Sequence, residues 1–321
     1  MTLLAVTGGL AMGCAPLPSA TSTQAPSVAS ESFWAHWGDG QAEVNGYTIQ
    51  NSRYGDTRPG EAVMVFVTET LTHGKRVKTD GNQTDTFPVM KLNAIHDFQT
   101  GMYDYNVMTS SFVPLNGETP RGVPTKISFS MQEWCGNTYA EATTIHEYGD
   151  PATAIRLQSH NYLDGQGATT TDLPLQHSPI SNDALPILIR GIAGPLLSPG
   201  ETQSVNLLPR IADSHMQKRP WSWQTAVLSR SPTNQRIQVP AGEYDAFSFT
   251  IEPEIGPTVT YLVETNPPHR IIGWETDNGE KASLTGSIRT EYWNQQAPGH
   301  AIMRSKLGLP TRHWPSTRPP E

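Results

Sequence analysis

The residues best suited to acid–base or metal chemistry fall in two short clusters. In the stretch IHDFQTGMYDY, His96, Asp97 and Asp104 lie close together in sequence. Imidazole and carboxylate groups in a polar loop could serve as general acid and base or as metal ligands. A similar mixed cluster lies at 36–43. A metal site needs three or four such ligands with supporting hydrogen bonds, so we expect no metal at either cluster.

A second possible catalytic centre is Cys135. The stretch WCG at 134–136 resembles the start of the thioredoxin active-site motif, but Thr138 stands where that motif has its second cysteine. The flanking residues alternate between apolar and polar, which predicts a β-hairpin with its turn at Gly136 and Asn137. A reactive thiol needs a helix N-terminus or nearby cations. We therefore expect Cys135 to be a structural, partly buried thiol.

Other catalytic patterns are missing from the chain. It has no Gly-x-Ser-x-Gly, no Gly-x-x-x-x-Gly-Lys and no His-Glu-x-x-His, which are the motifs of common hydrolases, phosphate-binding loops and metalloproteases. The net charge of -8, with charges of both signs scattered along the chain, gives no reason to expect a nucleic-acid partner. We predict no cofactor, and a non-enzymatic role is favoured over an enzyme centred on Cys135 or on His96, Asp97 and Asp104.

Aromatic residues form the more informative group. Some follow one another at a spacing of two, which places them on one face of a strand. Core packing explains this pattern, and so does an apolar cavity or a membrane-facing edge. The candidate ligand-binding residues are Trp34, Trp37, Tyr103, Tyr105, Trp221 and Trp223.

The N-terminal residues are predicted to carry a targeting signal. Leu3 to Met12 is a short apolar run, typical of the core of a secretion signal. The sequence Leu-Ala-Met-Gly-Cys that ends at Cys14 resembles the lipobox of bacterial lipoproteins, although Leu10 lies one position further from the cysteine than is usual and no Lys or Arg precedes the run. The resemblance implies a lipid on Cys14, an envelope location and, in a Gram-negative organism, the periplasmic face of the outer membrane. A cleaved signal peptide and a disordered cytosolic tail are the alternatives.

The composition divides the chain into four parts. Residues 1–14 are predicted to be a lipoprotein signal peptide, and 15–32, which are rich in Ala, Ser, Pro and Thr, are predicted to be a disordered tether. Residues 33–300 form one folded domain, and the Pro-rich stretch 301–321 is expected to be a flexible tail. With a lipid on Cys14, Cys135 has no partner for an intramolecular disulfide.

Short Val-, Phe- and Thr-rich segments recur along the folded part, separated by Gly and Pro turns. This spacing predicts an all-β fold, an antiparallel barrel-like or sandwich domain. The stretch NDALPILIRGIAGPLL predicts one short helix, which Asn182 or Asp183 can cap and Gly191 can end, with Pro186 in its first turn.

Several stretches resemble a family of uncharacterised exported bacterial proteins, namely FWAHWGDGQAEVNGY, VMKLN, FQTGMYDYNVMTSSF, KISFSMQEWCGNTY, VPAGEYDAF and PHRIIGW. Such proteins are sometimes labelled septum formation inhibitor Maf, but the Ser-x-Ser-x-Arg-Arg motif of Maf is absent here. The resemblance implies an antiparallel envelope protein and supplies no catalytic residue.

From these patterns we predict a membrane-tethered envelope lipoprotein that binds a lipid or another apolar ligand, or supports envelope assembly. An envelope enzyme and a protein-interaction module that works through exposed strand edges are the alternatives. The sequence identifies no particular protein partner.

Overall fold

The fold is known from a computed structural model, which describes residues 29–81, 83–146, 150–163, 166–192 and 194–312. The first eight strands are β1 (Ala42–Arg53), β2 (Asp56–Thr72), β3 (Thr86–Thr100), β4 (Tyr103–Pro114), β5 (Lys126–Glu133), β6 (Gly136–Ile145), β7 (Ala154–Asn161) and β8 (Gly167–Pro174). The others are β9 (Pro179–Ser181), β10 (Thr202–Leu208), β11 (Gln224–Arg230), β12 (Gln235–Val239), β13 (Gly242–Pro253), β14 (Val259–Glu264), β15 (Ile271–Thr276) and β16 (Lys281–Thr290).

Helices in the described residues are few and short. The α-helices are α1 (Glu31–Trp37), α2 (Leu185–Leu188) and α3 (Ile211–Met216), and 3-10 helices span Asn182–Ala184, Tyr292–Asn294 and Pro298–Leu307. None of the helices among these residues is both long and apolar enough to cross a membrane.

All the strands belong to one sheet, in the order β8-β7-β6-β5-β4-β3-β2-β1-β16-β15-β14-β13-β11-β10-β9, with β12 paired to β13. Every pair is antiparallel except β9 with β10. The sheet curls until β9 approaches the chain between β4 and β5, where the amide of Ser181 donates to the carbonyl of Gly122 at 2.8 Å. It does not close into a barrel, because β9 pairs only with β10. The predicted all-β fold class is confirmed.

Two apolar cores lie inside this curled sheet. The larger one joins the inner faces of β1–β4, β10, β11 and β13–β16 with the buried helix α2. The smaller one lies between β4–β7 and the segment around α3, with Tyr105, Phe129 and Trp221 among its members. Strand alternation produces these faces directly, since Ile127, Phe129 and Met131 of β5 are buried and the residues between them are only partly so.

The short helix predicted from Asn182 or Asp183 to Gly191 is shorter still in the structure. A 3-10 turn leads into α2, which has Pro186 in its first turn as predicted. The chain leaves the helical conformation soon afterwards at Gly191, whose φ of 72° favours glycine. The segment is buried almost throughout, from Ile180 to Ile192, so its apolar residues fill the space inside the sheet rather than one face of a long helix.

The predicted β5–β6 hairpin exists, but its turn is not at Gly136 and Asn137. Glu133 pairs with Gly136, so the two turn residues are Trp134 and Cys135. Gly136 is instead the first residue of β6. The β7–β8 hairpin also forms, and its predicted turn residues 164–165 lie outside the described part of the chain.

The residues after 300 are packed, at least as far as the structure describes them. Leu307 and Leu309 are buried on the outer face of β1 and β2. Two paired glycines, Gly46 and Gly286, allow this approach, because a Cβ at either one would lie 2.5 Å from a backbone oxygen of this segment. The stretch 301–312 is thus part of the domain, where the sequence predicted the start of a loose tail.

Alternate turns of an antiparallel meander fall on the same edge of a sheet. The turns that follow β1, β3, β5 and β7 therefore share one edge, and the strand registers place the β13–β14 and β15–β16 turns and α3 there as well. We call this edge the turn edge. Its described residues are 54–55, 101–102, 134–135, 162–163, 166, 209–223, 254–258 and 277–280.

A buried ion pair ties the inner segment to the sheet. The side chains of Arg190 and Glu43 are 0% and 2% exposed, with Nη1 2.9 Å from Oε1 and Nη2 donating to Oε2 at 3.0 Å. Arg190 also donates to the carbonyls of Pro268 and His269 at 3.0 Å each. Its guanidinium lies 4.2 Å from the ring centre of Phe66, a favourable cation–π contact.

We predict that Arg190→Met destabilises the protein by about 3–5 kcal/mol, because it leaves the Glu43 carboxylate buried and unpaired. The double variant Glu43→Met, Arg190→Met should recover most of this loss. Urea unfolding followed by circular dichroism measures both. Arg236→Met, which breaks an exposed ion pair, is the matched control and should leave the free energy of unfolding nearly unchanged. A double variant no more stable than Arg190→Met would contradict the role of the pair.

Candidate functional site

An inner cavity of about 70 Å³ lies between the inner face of the sheet and the segment that carries α3. Its walls are mixed, with one apolar part and one polar part. The apolar part includes Met64, Leu92, Phe98, Val107, Met216 and Trp274, and the polar part includes Asn51, His96, Asn182, Asp183, Arg210, Asp213, Tyr261 and Glu280. A space of this size holds a few water molecules or one small chemical group.

An outer cavity of about 290 Å³ adjoins the inner one at the turn edge. The two share Asn182 and Asp213 in their walls. The outer cavity is lined mainly by apolar residues, among them Pro209, Trp223, Ile255, Pro257 and Val259, with Gln217 and Arg219 also present. Its volume lies near the lower end of the range for small-molecule sites.

Arg210 is the electrostatic centre of the inner cavity. Its Nε and Nη2 donate to the two carboxylate oxygens of Asp213 at 2.8 and 2.9 Å, and Nη2 lies 3.7 Å from Glu280. Burial opposes the charge of Arg210, but the two carboxylates outweigh it and raise the pKa of Arg210 well above its usual value. Burial likewise opposes ionisation of Glu280, but Arg210 outweighs it and lowers the Glu280 pKa. One cation thus faces two carboxylates, and the cluster carries net negative charge.

Burial shifts the pKa values of two further titratable groups towards their neutral forms. Burial raises the pKa of Asp183 to about 7, although its carboxylate accepts a hydrogen bond from the backbone of Ile211 at 3.1 Å. Burial also lowers the pKa of His96, whose ring lies 5.9 Å from that of Trp274. Both groups lie in the cavity wall, where burial disfavours the charged form of each.

Two asparagines in the wall of the inner cavity lack hydrogen-bond partners. Asn51 and Asn182 are each 8% exposed. The Nδ2 of Asn51 and the Oδ1 of Asn182 are buried, and neither bonds to any described residue. An unpaired buried amide is costly, by about 1–3 kcal/mol. Both residues line the inner cavity, so a molecule bound there lies next to them.

The six aromatic residues predicted to bind a ligand divide between two places. Trp34 and Trp37 lie at the edge opposite the turn edge, and Arg190 and Arg289 lie over the ring of Trp37 at 5.4 and 5.1 Å. The other four gather near α3, where Tyr105 and Trp221 are buried and Tyr103 and Trp223 pack against them. Of the six, Trp223 lines the outer cavity, and its buried Nε1 has no partner among the described residues.

His96, Asp97 and Asp104 do not form a common site, contrary to the prediction that they share a loop. His96 and Asp97 are neighbours on β3 and Asp104 lies on β4, so strand alternation directs His96 inward and Asp97 outward. Asp97 pairs with Arg312 at 2.6 Å on the outer face, and Asp104 is exposed. The described residues contain no group of three or more His, Cys, Asp and Glu that could hold a metal ion.

Cys135 is exposed, where a partly buried thiol was expected. The cause is its position in the β5–β6 turn, which projects from the sheet at the turn edge. Its amide donates to the Glu133 carboxylate at 2.7 Å. Cys14, the predicted lipidation site, lies outside the described residues.

The central residues of the cavity were not identified from sequence. Asn182 and Asp183 were noted only as helix caps, and Asn51, Arg210 and Glu280 were not noted at all. Asn51 is in a strand, Glu280 is in a turn and Arg210 follows a proline. They meet only because the sheet curls, and the sequence gives no local sign of that curvature. The one available signal was the pair of polar residues that begins the apolar stretch 182–197.

Comparisons with known proteins give little further identification. No family model and no curated protein matches the chain. One solved structure is similar, a crystal structure described as a β-barrel-like protein of the domain of unknown function DUF1849 from Brucella abortus. The identity is 9%, the match covers 78% of this chain and 98% of that chain, and the TM-score is 0.45.

We predict that Asp183→Asn changes how stability depends on pH. The folded-state pKa of about 7 lies above the ordinary value of 3.8, so the folded protein binds the proton more tightly, and the contribution of Asp183 to stability is lost as pH rises from about 4 to 7. The neutral asparagine keeps an acceptor for Ile211 without this loss. The free energy of unfolding of the variant, relative to that of the parent, should rise by roughly 2–4 kcal/mol between pH 4 and pH 8. Urea unfolding at several pH values measures this, and a pH-independent difference would contradict it.

Proposed function

We propose that the protein is a non-enzymatic, membrane-tethered envelope lipoprotein that binds a small amphipathic ligand in the two adjoining cavities. The observation that carries this proposal is the pair of unpartnered, buried amide groups in the inner cavity, Nδ2 of Asn51 and Oδ1 of Asn182. Natural proteins satisfy such groups with protein, water or ligand.

The walls indicate the chemistry of the ligand. A hydroxyl or amide group can accept from Asn51 and donate to Asn182, and it fits a space of about 70 Å³. An apolar portion can extend past Asn182 into the outer cavity, where Trp223, Ile255 and Val259 offer apolar contact. Arg210 already pairs with the carboxylates of Asp213 and Glu280. A ligand that carries a further carboxylate or a phosphate would therefore be repelled. A neutral polar head on an apolar body is therefore favoured.

The proposed location rests on the sequence. The lipobox-like stretch that ends at Cys14 and the Ala-, Ser- and Pro-rich segment after it support a lipid anchor followed by a tether. A lipid anchor would keep the binding domain next to the membrane, where amphipathic molecules are concentrated.

We predict that Asn51→Leu, Asn182→Leu weakens ligand binding and stabilises the ligand-free protein. Each substitution removes a buried polar atom that lacks a partner, so the free energy of unfolding should rise by about 1 kcal/mol or more. Native mass spectrometry of the protein from an envelope-targeted preparation should show a bound small molecule on the parent and not on the variant. Asn294→Leu, at an exposed site, is the matched control and should retain the ligand. A parent that holds only water in both cavities would contradict the proposal.

We also predict that Cys14→Ser makes the protein extractable from membranes by alkaline carbonate, because the serine hydroxyl cannot take the thioether-linked lipid. Cell fractionation with carbonate extraction measures the shift, and mass spectrometry of the mature N-terminus checks for the lipid. A variant that resists carbonate extraction as firmly as the parent would exclude a lipid anchor on Cys14. Cys135→Ser is the control and should stay with the membrane.

A further inference from the structure

The turn edge carries a row of exposed large side chains, one on each of four successive hairpins. They are Tyr54 in the β1–β2 turn, Met102 in the β3–β4 turn, Trp134 in the β5–β6 turn and Tyr162 in the β7–β8 turn, with exposed fractions of 61%, 75%, 70% and 74%. Ile255, which is 56% exposed, continues the row in the β13–β14 turn. Hairpin turns are normally polar, because Gly, Asn, Asp and Ser suit the backbone there.

The opposite edge is different in character. Its long β2–β3 connection bears exposed Lys75 and Lys78 with the half-buried Arg76 between them in sequence, and Val77 is the large exposed apolar residue there. Trp293 lies beyond the end of β16 and is 39% exposed. Tyr139 and Ile302 are also exposed, at 46% and 61%, but among the described residues the turn edge is where successive hairpins each carry a large exposed side chain.

Packing holds Trp134 and Tyr54, two of the aromatic side chains of the row, in place. The ring of Trp134 stacks on Tyr103 with centroids 6.1 Å apart, and Tyr103 stacks on Tyr105 at 5.9 Å. The hydroxyls of Tyr54 and Tyr105 lie 2.7 Å apart, and the Arg53 guanidinium lies 4.3 Å from the ring centre of Tyr54. These contacts connect the exposed tips to the buried core around Tyr105, so that little freedom is lost when the tips are covered.

The row also borders the cavities. Ile255 lines the outer cavity, and so do Gln217 and Arg219, which follow α3 at the same edge. Met216 and Glu280, at this edge as well, line the inner one. Whatever covers the turn edge therefore lies against the approach to the proposed binding site.

We propose that the turn edge inserts into the interfacial region of a lipid bilayer, by contacts of its own that do not need the lipid anchor. Trp and Tyr side chains favour this region because each has an apolar body and a polar atom. Separate tips, each with one large side chain, suit a deformable lipid surface better than the continuous, shape-matched patch of a protein interface. Exposed Lys218 and Arg219 lie at this edge, but so do exposed Asp56 and Asp104, so the aromatic side chains rather than charge provide the attraction.

The test uses the full chain with Cys14→Ser, which removes the proposed anchor and leaves Cys135 as the single cysteine. An environment-sensitive fluorophore on Cys135 reports the surroundings of the β5–β6 turn. The protein is floated with phosphatidylcholine vesicles, with and without phosphatidylglycerol. We expect flotation with both compositions and a blue shift at position 135. The same fluorophore on Val77→Cys, in a chain that also carries Cys135→Ser, should show no shift.

Matched substitutions distinguish vesicle binding by the turn edge from non-specific binding by other exposed apolar side chains. Trp134→Gln with Tyr162→Gln should weaken vesicle binding about tenfold or more, from the loss of two large interfacial side chains. Trp293→Gln with Ile302→Gln removes a comparable exposed pair away from this edge and should leave binding unchanged. Since these tips are exposed, both double variants should keep the parent's unfolding curve.

Three outcomes would overturn the proposal. The first is that the protein floats with neither vesicle composition. The second is that the control pair loses as much vesicle binding as Trp134→Gln with Tyr162→Gln. The third is that the protein does not bind vesicles but self-associates, and that Trp134→Gln abolishes this self-association. The last would assign the edge to contacts between copies of this chain. Ligand binding is measured independently, by native mass spectrometry. A protein that retains its bound small molecule but does not bind vesicles would therefore contradict the membrane contact alone.

Discussion

The fold depends on the ion pair between Glu43 and Arg190. Both side chains are almost fully buried, so each charge would be very costly without the other. Arg190 also contacts the carbonyls of Pro268 and His269 and the ring of Phe66. One guanidinium thereby joins strand β1, strand β2, the β14–β15 connection and the inner segment. These directional contacts fix the position of the segment inside the sheet. Apolar packing alone is not directional and would allow the segment to bind in several positions.

The position of the inner segment in turn defines the cavity. The 3-10 turn at Asn182–Ala184 immediately precedes α2, so a shift of Arg190 along the interior would move Asn182 and Asp183 as well. Ser111 donates to the Asp183 carbonyl at 2.7 Å and the Asp183 carboxylate accepts from Ile211. Asp183 thus connects β4 to the start of α3, across the seam that the sheet leaves open. Asn182, next to Asp183 in the chain, and Asp213 of α3 line both cavities.

The sequence predicted the class of fold because strand alternation and turn residues are local signals. Ile127, Phe129 and Met131 show their buried face in five residues of sequence, and Pro186 and Gly191 indicate where a helix can begin and end. The curvature of the sheet was not predictable, because it arises from twist summed over many strands. For that reason Arg210, Glu280 and Asn51, which are far apart in the chain, could not be placed together. Alternation alone could have separated His96 from Asp97, once both were assigned to one strand.

The two edges of the sheet differ, and the cavities and the exposed row are found at the same one, the turn edge. A sheet stabilised only by its core would have polar turns at both edges and a fully packed interior, since unpartnered amides and exposed aromatic side chains each reduce stability or solubility. Here an unpartnered amide and the exposed row lie at the same edge, with Asn51 two residues from the end of β1 and Tyr54 in the turn that follows. Local departures from what stability requires tend to coincide with functional sites. A lipid surface that meets Trp134 and Ile255 would also exclude water from the outer cavity, and an amphipathic molecule could then pass between the two without exposing its apolar part.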